Sequence, residues 1–344
     1  MRVSYSIDAM QDRGKKVVIT GVTGFVGSAI ARAIVKDDID LHALVRPTSD
    51  RWRVRDLPIT WHIGDITVAE SLKHVFDGAD WVIHAAGILG QAGISESTYQ
   101  RINGQGTRNV LAEISRSEGQ PRVVVISSAG VLGPIVEDEG ATVANESSPL
   151  APSNPYERSK AAAEMIARDY ADTGMPIIIV RPEFIYGPGD LHVLGLFRAI
   201  QRRQFFYIGD GRNTCHPTYI DDAVDGLLRC LKFGKPGEIY HITGPRVVTF
   251  RELARTIAVF EDVPVPRLSL PKRVVWTGTS ILEFFASRAG ITVPLSRTGV
   301  AFFSEDRRST SSKAQKELDY VPRFDLQEGV KLTVAWYREQ GLLR

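Results

Sequence analysis

The chain has 344 residues, 43% of them hydrophobic, enough apolar material to bury one large domain or one domain with a smaller appendage. Its 42 basic and 40 acidic residues leave a net charge of +2 and are spread along the sequence, which excludes the polyelectrolyte signature that nucleic-acid binding demands. The two cysteines, Cys215 and Cys230, stand in no spacing that reads as a metal or redox motif, so no metal and a reducing, cytoplasmic setting are predicted.

Residues 1–15 are mixed and polar without an apolar run, and read as a leader, not as a signal peptide or membrane anchor. Beyond them, short and nearly uniform apolar runs alternate with helical patterns. Strands are predicted at Lys16–Thr20, Asp40–Val45, Thr60–Ile63, Trp81–His84, Arg122–Ile126 and Pro176–Val180. Helices are predicted at Phe25–Lys36, Tyr99–Ser117 and Asn154–Thr173, each with one apolar face. Strands buried on both faces and joined by helical crossovers define an α/β fold, with a parallel sheet over residues 16–187.

After Arg181, Pro and Gly become frequent and no glycine fingerprint recurs, which marks residues 188–344 mainly as a smaller α/β lobe for substrate. Within it, the helix read at Thr218–Leu231 can return to the first domain. Val274–Ile291 is apolar except for Thr, Ser, Glu283 and Arg288, too interrupted to span a bilayer. It reads as a lobe helix with one buried face; the alternative is a peripheral surface that docks on a membrane or a partner. From Ser311 onward, two amphipathic helices around Tyr320, Pro322 and Phe324 close the lobe.

The first strand runs directly into TGVTGFVG. Glycines at 21, 24 and 27 permit a tight turn, a close approach of backbone to a pyrophosphate, and close packing of helix on strand. Gly21, Thr23, Gly24, Phe25, Val26 and Gly27 are therefore assigned to a dinucleotide. The spacing is GxxGxxG, and no Asp or Glu ends the second strand to hold a ribose diol. Arg46 stands there instead, with Arg51 nearby, and a cation suits a 2′-phosphate. NADP(H) is favoured, with NAD(H) as the alternative. Asp65 and Ile66 after the third strand, and Ala85, Ala86 and Gly87 after the fourth, border the same cleft.

Tyr156 and Lys160 are four apart on one helix face, so they can act together. A tyrosine is a poor base at neutrality, its pKa being about 10, unless a neighbouring cation stabilises its phenolate. Ser128, or Ser127 beside it, ends the fifth strand and brings a hydroxyl to the same sheet edge. Together these groups suit proton transfer in carbonyl reduction or alcohol oxidation.

With these residues in order, the chain resembles the short-chain dehydrogenase/reductase superfamily in its extended, epimerase/dehydratase-like branch. The likeness runs through TGVTGFVG, GDI, HAAG, INGQGTRNVL, ISSAGVLG, YERSK, RPEFIYGPGD and HPTYIDDAV to SSKAQKELDY and WYREQGLL. It implies a Rossmann domain with a doubly wound parallel sheet, a variable C-terminal lobe and a homodimer formed through a helix bundle. It further implies that Ser128, Tyr156 and Lys160 carry the chemistry, Lys160 also holding the nicotinamide ribose, and that Asn103 and Pro182 in the matched motifs belong to the cofactor site.

Some positions depart from the nucleotide-sugar members of that branch. Phe184 replaces an Asn that contacts the sugar nucleotide, and Cys215 replaces an Arg that grips its pyrophosphate. Ala129 and Gly130 stand where 4,6-dehydratases carry an Asp-Glu pair, which argues against elimination. These departures resemble the dihydroflavonol-reductase and 3β-hydroxysteroid-dehydrogenase side of the branch. Leu89, Ser128, Phe184 and His216 are expected to border a small-molecule substrate. The leading expectation is an NADP(H)-dependent oxidoreductase for an apolar carbonyl or alcohol; a nucleotide-sugar 4-epimerase or ketoreductase and a non-catalytic cofactor-binding regulator are the alternatives.

Overall fold

The six apolar runs form β1 (Lys16–Thr20), β2 (Asp40–Val45), β3 (Thr60–Ile63), β4 (Trp81–His84), β5 (Arg122–Ile126) and β6 (Ile177–Pro182). They are seen in a computed structural model whose described residues are 12–91, 93–135, 143–289 and 297–344. Residues 1–11 of the expected leader and the last two of the 274–291 stretch lie outside these. A seventh strand, Ile239–Ile242, lies beside β6, and the order across the sheet is Ile239–Ile242, β6, β5, β4, β1, β2, β3. Every pairing is parallel. The chain leaves β1 toward β2 on one side and reaches β4 on the other, so the crevice beyond their carboxyl ends is the topological switch point.

Side chains alternate across this sheet. Val17, Ile19, Leu41, Ala43, Ile83, Val124 and Ile178 face α1 (Phe25–Ile34) and a helix contributed from beyond residue 187, while Val18, Leu44, Val82, Val123, Val125, Ile177 and Ile179 face the opposite layer. That layer holds α2 (Glu96–Tyr99), α3 (Gly106–Ile114) and α4 (Pro155–Asp172). Both faces are dry, which is why the strands read as unbroken apolar runs.

The single predicted helix at Tyr99–Ser117 is a composite. Ser95 caps α2 by accepting from Thr98 N, and a π-helical turn, Gln100–Gln105, links α2 to α3. α4 begins where predicted: the Asn154 side chain accepts from Glu157 N at 3.0 Å, and Pro155 supplies the pre-set φ of a first helical position. β6 continues two residues past its expected end because Arg181, fully buried, is neutralised by Glu164.

The remaining helices are α5 (Leu194–Gln201), α6 (Ile220–Phe233), α7 (Phe250–Phe260), α8 (Lys272–Ala289), α9 (Arg297–Ser304), α10 (Ser312–Leu318) and α11 (Leu326–Glu339). α6 lies on the α1 side of the sheet, where Val224, Leu227, Leu228 and Leu231 are buried. Short strand pairs stitch the lobe together, Tyr207–Ile208 with Ser269–Leu270 and Thr214–Cys215 with Val248–Thr249. Among the described residues no helix is long and apolar enough to cross a membrane.

Candidate active site

At the switch point, Gly21 adopts φ +77°, and a Cβ there would fall 2.6 Å from Ala86 N; a Cβ at Gly27 would fall 2.2 Å from Gly21 O. No side chain fits at either place. Gly24 caps α1 without any side-chain hydrogen bond, and the first turn holds no acid, so its N–H groups face outward beside exposed Gly24. A cradle of this shape and polarity fits the pyrophosphate of a dinucleotide. Thr23, Phe25 and Val26, all half-buried, line its rim.

Asp65 lies half-buried beyond β3, its Oδ1 accepting from Thr67 N and Thr67 Oγ1, both at 2.8 Å. Ile66 is buried against Gly106. Arg46 is exposed at the end of β2, on a turn closed by Ser49 N donating to its carbonyl. Arg51 lies 4.5 Å over the Trp61 ring. Arg46 is thus the better placed of the two for a phosphate on the adenosine side.

Tyr156 sits in the first turn of α4, half-buried, with its phenol beside Ser128. Burial pushes that phenol up to about 12; the Ser128 hydroxyl pulls it down, and the Glu157 carboxylate adds to the rise. Lys160 Nζ, one turn along, donates to Ile126 O at 2.5 Å, and burial brings the ammonium down to about 8. Lys160 was expected to hold the phenolate directly. In this structure Lys160 is drawn to the end of β5, and Ser128 is the side chain that adjoins the phenol. Ser127 is removed from the choice: it points to the opposite face and donates to Glu164 Oε2 at 3.0 Å.

Two polar networks hold these groups. Asn103, expected at the cofactor, is 1% exposed and spends its amide elsewhere. Its Oδ1 accepts from Ile88 N at 2.8 Å, and its Nδ2 donates to Ile88 O and Ser159 Oγ. It therefore ties the Ala85–Gly90 loop to the helix of Tyr156, acting on the cofactor site through its neighbours. Gly90 lies against the Tyr156 ring, and Tyr99 OH closes the loop by accepting from Gln91 N.

The second network is directional. Thr107 Oγ1 donates to Asn103 O at 2.6 Å, so it can only accept from His84 Nε2–H at 3.0 Å; His84 Nδ1 then accepts from Thr20 Oγ1 at 2.7 Å. Thr20 in turn accepts from Ala86 N. Burial lowers His84 to about 3, with the Lys160 charge acting in the same sense, so the ring is neutral as this geometry requires.

On the substrate side, Pro182 ends β6, and Phe184 packs edge-to-face on Phe302 with centroids 5.2 Å apart. Leu89 is exposed on the loop that crosses Tyr156. His216 corrects the expectation of a substrate contact: it is buried, and its ring nitrogens are taken by the carbonyls of Ser309 and Gly244, both at 2.9 Å. A separate cavity of about 430 Å³ in the lobe is lined by Asp210, Arg212, Thr214, Lys272, Asp306 and Arg308, among others.

A glycine cradle at the switch point and a Ser–Tyr–Lys group beside it agree with what comparison of the whole chain finds. Residues 17–243 match the NAD dependent epimerase/dehydratase family. The chain belongs to that family. Its membership places it among NAD-dependent enzymes of the extended short-chain dehydrogenase/reductase superfamily. It is 28% identical over 326 residues, 92% of this chain and 94% of the other, to a 4-hydroxy-2-methyl-3-oxo-4-farnesyl-3,4-dihydroquinoline-1-oxide ketoreductase of Stigmatella aurantiaca. It is also 28% identical, over 94% of this chain and 98% of the other, to a decarboxylating sterol-4-alpha-carboxylate 3-dehydrogenase of Saccharomyces cerevisiae. The solved structure of a dTDP-glucose 4,6-dehydratase from Streptomyces venezuelae with NAD bound superposes with a TM-score of 0.77 at 27% identity, over 96% of this chain and 99% of that one.

Proposed function

We propose that the protein is an NADP(H)-dependent oxidoreductase that interconverts an apolar secondary alcohol and its ketone, working as a homodimer in the cytoplasm. The observation that carries this reading is the half-buried Tyr156 phenol beside Ser128 at the sheet edge, with Lys160 one turn along α4. A phenol whose pKa is pushed up to about 12 is protonated at neutral pH, ready to donate to a carbonyl oxygen. Ser128 would hold that oxygen, and Lys160 would hold the nicotinamide ribose hydroxyls. When bound, the nicotinamide supplies or accepts the hydride. Apolar substrates are favoured by the Phe184–Phe302 wall and by relatives whose names specify farnesylated and sterol substrates.

A nucleotide-sugar epimerase or ketoreductase is the second reading. The polar cavity with Arg212, Lys272 and Arg308 favours it, as does the likeness to the Streptomyces dehydratase. The Ala129–Gly130 pair, without carboxylates, speaks against dehydration.

The test is NADPH oxidation with a panel of steroid and isoprenoid ketones, beside thermal-shift measurements with UDP, dTDP and GDP sugars. Turnover of the ketones is expected. Arg46→Ala should weaken NADPH by about tenfold or more and leave NADH nearly unchanged, since a charge-assisted phosphate contact is worth about 1.5–3 kcal/mol. Strong stabilisation by a nucleotide sugar together with inert ketones would overturn the proposal.

A further inference from the structure

Residues 263–282 hold three cations, Arg267, Lys272 and Arg273, and no acid. The same stretch exposes apolar side chains that the fold does not use: Leu268 is 58% exposed, Val274 59%, Trp276 41% and Leu282 59%. Among the described side chains at the start of α8 the inward stripe is narrow. Val275 and Thr279, one turn apart, are buried, with Val275 in a small cluster with Ile208 and Val300. The other described side chains of its first turns face out, with Val274 and Trp276 following the cations Lys272 and Arg273.

We propose that this face, the 263–271 segment with the first turns of α8, is a docking surface for a bilayer of anionic phospholipid. A helix that lies in the interface plane buries apolar side chains beneath the headgroups while its cations meet lipid phosphates. Tryptophan suits that depth, because its ring is apolar and its N–H remains wet. A second copy of the chain fits less well. A second copy related by a twofold axis would set these three cations against three more. Nearby acids are already engaged: Asp306 accepts from Thr214, Glu305 pairs with Arg307 and Lys272, and Asp210 pairs with Arg212.

The position in the fold adds a consequence. Ser269–Leu270 pairs with Tyr207–Ile208, and Lys272 lines the 430 Å³ cavity with Arg212 and Arg308. Docking therefore brings the substrate lobe and its cavity to the membrane surface. The docking surface stands independently of the substrate chemistry proposed above.

Cosedimentation of the full chain with vesicles tests this, using phosphatidylcholine alone and phosphatidylcholine mixed with phosphatidylglycerol, at low and high salt. Binding to the mixed vesicles, weakened by salt, is expected. Since each cation at an anionic surface is worth about fivefold, the double variant R267Q/R273Q should lose about twenty-five-fold in partition. The variant L268E/W276E should lose binding altogether while keeping the wild-type melting temperature and turnover, because both residues are exposed. Failure of the wild type to bind the mixed vesicles overturns the proposal, as does wild-type binding by L268E/W276E. Concentration-dependent dimerisation in light scattering that L268E/W276E abolishes would assign the face to a second copy instead.

Discussion

Two adjacent serines at the end of β5 divide the work between them. Ser128 meets Tyr156 at the open edge, whereas Ser127 is buried against Glu164, because successive strand residues point to opposite faces. Ser128→Ala should lower kcat by about a hundredfold, the usual loss of one donor to a reacting oxygen, with cofactor affinity unchanged. Ser127→Ala should leave kcat nearly intact and cost about 1–2 kcal/mol in urea denaturation, because Glu164 loses a buried donor. Equal kinetic losses in the two variants would undo the assignment. The sequence marked both serines without separating them, since strand parity depends on which face the helices cover. Tyr156, Lys160 and the glycines were readable because their chemistry demands residue types at fixed spacing. Asn103 and His216 are held by partners no spacing reveals: an amide or imidazole serves equally well as scaffold, and only the partner atoms show which.

At the scale of elements, α4 is where the helical layer on the sheet meets the segment that follows α9. Glu157, next to Tyr156, accepts from Ser153 N and Ser153 Oγ and pairs with Arg307 at 2.6 Å, while Arg307 reaches Glu305 at 3.1 Å. Arg307 thus fastens the segment after α9 to the turn that carries the phenol. Arg307→Met leaves a buried carboxylate without its cation, so a destabilisation of about 3 kcal/mol is expected. The Glu157 charge, which already raises the Tyr156 pKa, would then be less compensated. The basic limb of carbonyl reduction, set by loss of the phenol proton, should therefore move to higher pH, with cofactor affinity unchanged. A pH–rate profile of Arg307→Met that overlays the wild type would show that the pair is structural only. The strands and α4 were legible because burial on both faces and a capping Asn-Pro leave local signals. The strand at Ile239–Ile242 was not, since four residues including a histidine carry too little pattern, and the π-turn answers to the Asn103 contacts.

For the whole molecule, buried titratable groups of opposite kind shape stability against pH. His84 and His241 are each lowered by burial to about 3, the latter with Arg181 beside it. Their unfolded value is 6.5, so the neutral form's contribution is complete above that pH and is lost as pH falls toward 3. Glu261 runs the other way. Burial raises its carboxyl from 4.5 to about 8, its oxygens lack partners among the described residues, and ionisation at alkaline pH costs stability. Acidification from pH 8 relieves that cost at about 1.4 kcal/mol per pH unit, until the histidines begin to charge and oppose it at the same rate each. Burial likewise raises Asp222 to about 6, despite its hydrogen bonds from Arg323 N and Phe324 N, so it offsets part of the histidine loss. Maximal stability is therefore expected near pH 6, with a shallow alkaline decline and a steep fall at about pH 4, where protonation of paired carboxylates such as Glu164 and Asp12 adds to the histidine losses. None of this was visible in the sequence, where a glutamate at a helix end reads as solvated. Urea denaturation across pH tests the balance through Glu261→Gln, which removes the alkaline limb and leaves the acid limb in place. An alkaline decline in Glu261→Gln as steep as in the wild type would mean that Glu261 is hydrated in solution and that another group sets the upper edge.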